Sequence, residues 1–214
     1  MAILKGEVMR MRRMMPRVVP AMVTLIFALS AQDVKPTCNH CSATYIPTDE
    51  LQAYVIRAVT NGLVDQQVRS VDIGKSQIGI GVVHRGKLDA PAPNSVAEHD
   101  LISEVYHVID GSATLETGPD IVGMKRRPST LQTVREYNGP GNNGSSITNG
   151  VTYHLKPGDV IVVPAGVGHL FTKIDDHITY LMVRIDPDKA VPLKDEAASK
   201  AYLRSDPKAS ARDK

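Results

Sequence analysis

Short apolar stretches bounded by turn residues fill the middle of the chain. They are rich in Val, Ile and Thr and are separated by Gly, Pro, Asn or Asp, which is typical of β-strands. The predicted strands are residues 67–73, 77–84, 103–109, 112–117, 151–155, 160–163, 169–174 and 177–185. Because no helices alternate with these strands, the pattern predicts an all-β barrel or sandwich with helices outside it.

Three turn signals connect these strands. Asp110-Gly111 separates two alternating stretches and predicts a β-hairpin. Pro157-Gly158-Asp159 and Asp175-Asp176 predict further turns between strands. Residues 118–150 are rich in Gly, Asn and Ser and have no strand periodicity, so a loop insertion is predicted, of a length often found in lids and binding loops.

A helix is predicted ahead of the strands. Leu51, Tyr54, Val55, Ala58 and Val59 recur at helical spacing, so one face is apolar and is expected to pack on the outside of the core or at a dimer seam. Thr48 is the predicted N-cap, and Gly62 follows the predicted end. A second helical stretch is predicted at residues 193–203.

The N-terminus has the composition of a secretory signal peptide. Arg10, Arg12, Arg13 and Arg17 precede an apolar run at residues 18–29, and small residues follow it. This predicts cleavage after residue 30 and export to the periplasm or medium; the alternative is an uncleaved membrane anchor. For Cys38 and Cys41, a disulfide or free thiols are favoured over a metal clip or a redox pair.

Overall composition narrows the function. The chain has 214 residues, which favours one compact domain with extensions. Its net charge is +2 and no basic face with interleaved aromatic residues is visible, which argues against nucleic-acid binding. Arg126, Arg127 and Arg135 are expected to be solvated, with binding of an anionic substrate as the alternative.

Two histidines and one carboxylate carry the candidate chemistry. Glu104 and Tyr106 share one face of a predicted strand, and His107 points to the other. His99 and His169 flank neighbouring predicted strands, so a barrel could bring both to Glu104. Two imidazoles and one carboxylate with open positions predict a divalent-metal site. A surface charge cluster around His99 is the alternative, because acidic residues precede and follow it.

The segments around these residues resemble the paired motifs of the cupin superfamily. In the second motif only the final Asn is replaced, by Lys173. In the first motif Ala97 stands in place of the first His and Pro91 in place of the opening Gly. The residues that match are Gly158, Pro164, Gly166 and His169 in the second motif, and His99, Glu104 and Gly111 in the first.

This resemblance implies a double-stranded β-helix (jelly-roll) barrel, a homodimer, and a divalent metal such as iron, manganese, nickel, copper or zinc. The implied ligands are His99, Glu104 and His169, with His84 as a possible substitute for the missing histidine. Glu104-Val-Tyr106 is similar to the Glu-x-Tyr pairing of cupin-type lyases, which implies Tyr106 as a catalytic acid or base.

Together these expectations give one domain organisation and two functions. Residues 1–30 are the signal peptide, 31–67 an extension and helix, 68–186 the cupin barrel with its 118–150 insertion, and 187–214 a polar tail. The expected function is that of a metal-dependent oxygenase, lyase or isomerase acting on a small molecule. The alternative is a barrel that binds a small ligand without turnover.

Overall fold

The computed structural model describes residues 35–38 and 41–206. The chain divides after Lys35, and every described helix and strand belongs to the unit of residues 36–214. Within the described ranges, no helix combines the length and the apolar character needed to cross a membrane. The predicted signal peptide of residues 1–30 lies outside the described residues and stays a prediction.

Twelve strands, two α-helices and one π-helical turn make up the described structure. In chain order they are α1 (Thr48–Asn61), β1 (Asp65–Asp72), β2 (Gln77–Leu88), β3 (Val96–His99), β4 (Ser103–Gly111), β5 (Ala113–Gly118), β6 (Asp120–Val122), β7 (Lys125–Arg126), the π-helical turn (Val134–Asn138), β8 (Gly141–Gly144), β9 (Ser146–Thr148), β10 (Val151–Leu155), β11 (Val160–Val163), β12 (Gly168–Asp186) and α2 (Glu196–Arg204).

The strands form two antiparallel layers that share β12. The first sheet has the order β1-β2-β12-β4-β11, and the second has the order β7-β8-β3-β12-β5-β10. Residues 168–173 of β12 pair in the second sheet and residues 174–186 in the first. A separate two-stranded ribbon joins β6 and β9. The predicted all-β jelly-roll fold is confirmed.

The main core lies between the two layers. Inward-facing side chains alternate with outward ones along each strand, as expected for sheets packed face to face. Burying these apolar surfaces is the main favourable term in folding. The buried members are Val83, Tyr106, Val108, Ala113, Leu115, Leu155, Val163, Phe171, Ile174, Ile178, Tyr180 and Met182.

Helix α1 packs on the outer face of the first sheet, as predicted, but Val59 of its predicted apolar face is 64% exposed. Its Tyr54 is buried beside Val68 of β1 and Val82 of β2, and the Tyr54 ring stacks on Tyr202 of α2 at 5.6 Å. The predicted cap at Thr48 is wrong. Thr48 is the first helical residue, and the extended residue before it is Pro47, which makes no side-chain capping bond.

The hairpin predicted at Asp110-Gly111 is also wrong. Strand β4 pairs with β11 and β12, whereas β5 pairs with β10 and β12, so the chain turns a corner from one sheet into the other. Gly111 has φ +75°, and a Cβ at this position would overlap the carbonyl oxygen of His177. Glycine is needed here because the backbone is left-handed and lies close to β12. In sequence, such a corner looks the same as a hairpin turn.

The turn predicted at Asp175-Asp176 is a bulge within the single strand β12. Ile174 pairs with Leu88 and His177 pairs with Gly86, so β12 carries one extra residue at this point. A bulge bends a strand and increases its twist. Here the bend lies where β12 passes from the second sheet into the first.

Residues 118–150 are ordered, contrary to the structureless loop expected from their composition. Strands β7 and β8 extend the second sheet beside β3, with Val96 paired to Gly144 and His99 paired to Gly141. A Cβ at Gly141 would overlap the carbonyl oxygen of Glu98, so the glycine permits this close pairing. Tertiary pairing has overridden weak strand propensity. The domain boundaries around this insertion stay predictions.

Cys38 and Cys41 form a disulfide, with 5.7 Å between their Cα atoms. The sequence left open a disulfide, free thiols, a metal clip or a redox pair, and the structure has the disulfide. Neither sulfur is available as a metal ligand while the bond persists.

Candidate metal centre

Three strands bring the predicted ligands together inside the barrel. His99 ends β3, Glu104 is the second residue of β4, and His169 is the second residue of β12. Their exposed fractions are 5%, 2% and 8%. The alternative that His99 belongs to a surface charge cluster is therefore wrong. Among the described residues, these three form the one group of His, Cys, Asp or Glu side chains placed to hold a metal.

The turn of the second motif fixes this arrangement. The backbone N–H of Gly166 donates to the carbonyl oxygen of His99 at 2.8 Å, and the N–H of Ala165 donates to Oγ of Ser103 at 3.0 Å. Gly166 has φ +82°, a conformation that glycine adopts at little cost. The turn thus ties both ends of the loop between β3 and β4, which sets His99 and Glu104 beside the start of β12.

Strand alternation explains why Glu104 points inward. Glu104, Tyr106 and Val108 are buried, while Val105 is half-buried and His107 is exposed. This confirms the predicted division of faces along β4.

The ligand atoms are close enough to share one cation. Nε2 of His99 lies 3.4 Å from Oε1 of Glu104, and Nε2 of His169 lies 3.5 Å from Oε2 of the same carboxylate. The three ligand atoms lie within 4.8 Å of one another. Two imidazoles and one carboxylate suit a first-row transition metal with open coordination positions.

The contact between His169 and Glu104 favours a cation bound between the two side chains. Nδ1 of His169 faces the carbonyl oxygen of Val167 at 3.4 Å, and a carbonyl only accepts, so the imidazole proton belongs on Nδ1. The unprotonated Nε2 then faces a carboxylate oxygen. Two buried acceptors that face each other are unfavourable unless a proton or a cation lies between them. Metal-binding histidines commonly donate their second nitrogen in this way.

Ala97 and His84 do not complete the ligand set. Ala97, which replaces the first histidine of the family motif, lies directly across from His169 in the β3–β12 pairing. The Nδ1 of His84 lies 2.8 Å from Oγ1 of Thr179, and its ring stacks on His177. His84 therefore contacts Thr179 and His177 and lies outside the candidate site. The expectation that it replaces the missing histidine ligand is wrong.

A family comparison agrees with the fold and the motif. The family model for an AraC-like ligand binding domain, which is cupin-like, matches residues 143–212. The matched segment contains β11, the Pro164-Ala165-Gly166 turn, β12 and His169. The fold is of the cupin type. No curated protein matches the sequence.

Several solved structures resemble this protein at low sequence identity. A Bacillus halodurans protein is 11% identical, with 76% of this chain and 98% of that chain covered and a TM-score of 0.39. A cupin protein from Bacteroides fragilis is 14% identical, with coverages of 52% and 68% and a TM-score of 0.32. The DMSP lyase DddQ from Ruegeria pomeroyi is 16% identical, with coverages of 60% and 45% and a TM-score of 0.30.

Tyr106 lies next to Glu104 and is fully buried in the barrel. Its hydroxyl donates to Oε2 of Glu104 at 2.7 Å, and its ring stacks on Tyr180 with 4.6 Å between centroids. Burial, followed by the charge of Glu104, raises the pKa of Tyr106 well above its ordinary value. The phenol therefore stays protonated at neutral pH and orients the carboxylate. Its role in proton transfer stays a prediction.

Arg184 is a functional neighbour that the sequence reasoning missed. It pairs with Glu104 across β12 and β4, and its Nε lies 3.5 Å from Oε1 of Glu104. Its Nη1 donates to Oε1 of Gln67 at 2.8 Å, and its Nη2 bonds to Oδ2 of Asp65. The alternation of Tyr180 and Met182 along β12 places position 184 on the inner face, so this signal was present in the sequence.

Arg127 is buried against His99, and the expectation that it is solvated is wrong. Its Nη2 lies 3.0 Å from Nδ1 of His99 and also bonds to the carbonyl oxygen of Glu98. Arg126, in contrast, is exposed and pairs with Asp100 at 2.5 Å. The two neighbouring arginines differ because the paired strands β7 and β8 direct one side chain inward.

Burial and neighbouring charges shift the titration of this cluster. Burial lowers the pKa of His99 to about 3, and it also lowers the pKa of His169. Desolvation alone would raise the pKa of Glu104. Attraction to the two imidazoles, when they are protonated, and to Arg184 outweighs desolvation and lowers the pKa of Glu104 to about 2. At neutral pH the histidines are therefore neutral, as ligands must be, and the carboxylate is ionised.

The metal-free protein is expected to lose stability as the pH falls below neutrality. Between pH 6.5 and about 3 an unfolded chain protonates His99 and the folded chain does not, so acid favours unfolding. Each pH unit within this window lowers the free energy of unfolding by up to ~1.4 kcal/mol per group. Below pH 4.5 Glu104 adds a loss of the same sign, which continues down to about pH 2. Above pH 6.5 neither His99 nor Glu104 makes the free energy of unfolding depend on pH.

Urea unfolding of chelator-treated protein at pH 7.5, 5.5 and 4.0 measures this effect. A His99→Asn variant should show a shallower decline than the wild type, whereas His107→Asn, at an exposed position on β4, should match it. An equal slope in the wild type and in the His99 variant would contradict the assignment.

Proposed function

We propose that this protein is a cupin that binds a divalent metal through His99, Glu104 and His169 and acts as a metal-dependent enzyme on a small molecule. The observation that carries the proposal is the buried contact between two acceptors, Nε2 of His169 and Oε2 of Glu104, at 3.5 Å. The neutral histidines and ionised carboxylate support it, and so does the donor chemistry, which iron, manganese, nickel, copper and zinc accept.

The surrounding side chains prepare these ligands. Such a metal supplies polarisation of a substrate oxygen or activation of dioxygen, which suits oxygenase, lyase or isomerase chemistry. Tyr106 fixes one carboxylate oxygen by hydrogen bonding, and Arg184 helps to keep the carboxylate ionised. Tyr106 is also the proposed catalytic acid, because its raised pKa keeps the hydroxyl protonated beside Glu104.

A small-ligand-binding barrel without turnover is the second candidate. The family model that matches residues 143–212 describes a ligand binding domain. The three proposed ligands are also almost inaccessible to solvent, with His169 the most exposed of them at 8%. Dioxygen consumption and turnover of carbonyl or carboxylate compounds by metal-loaded protein would favour the enzyme. Stoichiometric ligand binding with no turnover would favour the second candidate.

Replacing His169 by alanine is expected to remove the metal while the protein stays folded. The variant loses the one imidazole whose Nδ1 faces a carbonyl, and one of only three ligands. Elemental analysis of untagged protein, reconstituted with iron, manganese, nickel or zinc and then dialysed, measures the metal content. Circular dichroism melting checks the fold.

His107→Ala is the matched control, because His107 lies on the outer face of the strand that carries Glu104. It should retain full metal content. Stoichiometric metal in the His169→Ala protein would refute the proposed ligand set.

Export and dimerisation are further proposals about the whole protein. The basic and apolar composition of residues 1–30 and the Cys38–Cys41 disulfide support an exported protein. The outward side chains Val160 and Val162 of β11, 61% and 60% exposed, support a homodimer. N-terminal sequencing of the mature protein and light scattering after gel filtration test these two points.

A further inference from the structure

Arg127 reaches the proposed metal ligand His99 from the insertion between β5 and β10. Its backbone N–H donates to the carbonyl oxygen of Gly141 at 3.0 Å, which anchors the residue beside β8. Arg127 is 9% exposed, and its guanidinium contacts Nδ1 of His99 at 3.0 Å and the carbonyl oxygen of Glu98. The side chain is thus held behind His99, on the side away from Glu104.

This contact decides where the proton of His99 lies. A guanidinium has only donors, so Nδ1 of His99 must be the acceptor. A neutral imidazole carries one N–H, which therefore lies on Nε2. That N–H points at Oε1 of Glu104, 3.4 Å away. The two atoms form a donor and acceptor pair that is satisfied without a metal.

His169 has the opposite arrangement. Its Nδ1 faces a carbonyl oxygen, so its Nε2 is free to coordinate. Metal-binding histidines generally need such an acceptor behind the second nitrogen, because coordination through Nε2 moves the proton to Nδ1. At His99 that position is taken by a cationic donor. The two histidines are therefore unequal as ligands, although both face the same carboxylate.

We propose that Arg127 is a positioning residue that competes with the metal for His99. While its guanidinium donates to Nδ1, a divalent cation has only His169 and Glu104 as ligands. His99 joins the ligand set when the Arg127 side chain withdraws and the proton moves from Nε2 to Nδ1. This inference rests on the proposed metal site. It adds that Arg127 lowers the affinity of that site for the metal.

Metal affinity of Arg127 variants tests the competition. Dissociation constants for Zn²⁺ and Mn²⁺ are measured against a chromophoric chelator at fixed pH. Arg127→Met keeps most of the volume but has no donor, and it should bind at least ~10-fold more tightly, the scale on which groups behind metal ligands act. Arg127→Lys retains a charged donor and should stay close to the wild type. Arg126→Met removes an exposed neighbouring charge and should change little.

The protonation site of His99 is a second, independent readout. In metal-free wild type, ¹⁵N NMR should show His99 Nδ1 without a proton and Nε2 with one, assigned by comparison with a His99→Gln spectrum. In Zn²⁺-loaded Arg127→Met the proton should lie on Nδ1, because Nε2 then coordinates the metal. A change in packing alone would not move this signal.

The possible results distinguish a failure of the Arg127 proposal from a failure of the metal-site proposal. A protonated Nδ1 in the wild type, or equal affinities of wild type and Arg127→Met, would overturn the role of Arg127 while leaving the metal site intact. If neither protein binds any of the metals, the proposed function fails and the competition fails with it. Tighter binding by both Arg127→Met and Arg126→Met to the same degree would show a general charge effect and would also overturn the inference.

Discussion

Replacing Glu104 by alanine is expected to abolish metal binding and to lower the free energy of unfolding by about 3–5 kcal/mol. The carboxylate is 2% exposed and is the anionic partner of Arg184 inside the barrel. It also accepts the hydrogen bond of Tyr106 and faces both imidazoles. Its removal leaves a buried guanidinium and a buried phenol without this partner. Urea unfolding and elemental analysis measure the two effects.

Glu104→Gln separates charge from packing. The amide oxygen can still accept from Tyr106, so this variant should lose less stability than the alanine variant, while its metal content should still fall. A Glu104→Ala protein as stable as the wild type would contradict the central place of this carboxylate in the barrel.

Replacing Arg184 by methionine is expected to cost a similar amount, about 3–5 kcal/mol of unfolding free energy, because it removes the cationic partner of the buried Glu104 and the half-buried Asp65. Arg184 is 1% exposed and lies between Asp65 and Glu104. Oδ1 of Asp65 already lacks a hydrogen-bond partner, so loss of the guanidinium would leave this carboxyl group poorly compensated. The three proposed metal ligands all remain, so the metal content should persist. Denaturant unfolding of metal-free protein measures the loss.

Two matched variants sharpen this measurement. Arg126→Met removes an exposed arginine from a surface ion pair and should cost at most ~1 kcal/mol. Adding Asp65→Asn to Arg184→Met should recover part of the loss, since the stranded negative charge is then gone. If the double variant is no more stable than the single one, the loss has a cause other than the ion pair.

Local patterns in the sequence predicted β1, β2, β4, β5, β10, β11 and the two parts of β12, and they predicted which side chains of β4 face inward. Alternation along residues 103–109 separated Glu104 and Tyr106 from His107, and the structure has this division. The spacing of Gly158, Pro164, Gly166 and His169 placed an imidazole after a tight turn. Both features depend on neighbours within a few residues, which is the range over which periodicity and turn chemistry carry information.

Features that depend on distant pairing were missed. Asp110-Gly111 has the composition of a hairpin turn, yet β5 belongs to the other sheet because its partners lie far along the chain. The glycine-rich residues 141–144 have little strand propensity and pair with β3 all the same. Arg127 was placed in solvent for the same reason: its burial follows from strand pairing that no local pattern records.

Strand β12 sets the order in which this protein can acquire its structure. It pairs with β2, β3, β4 and β5, so each sheet has β12 as an interior member. Neither layer can close until residues 168–186 have left the ribosome, and the chain must stay open through most of its synthesis. Folding governed by such distant pairings is slow compared with folding through local contacts. A chaperone or an export machine would therefore have a long interval in which to capture the nascent chain before the barrel forms.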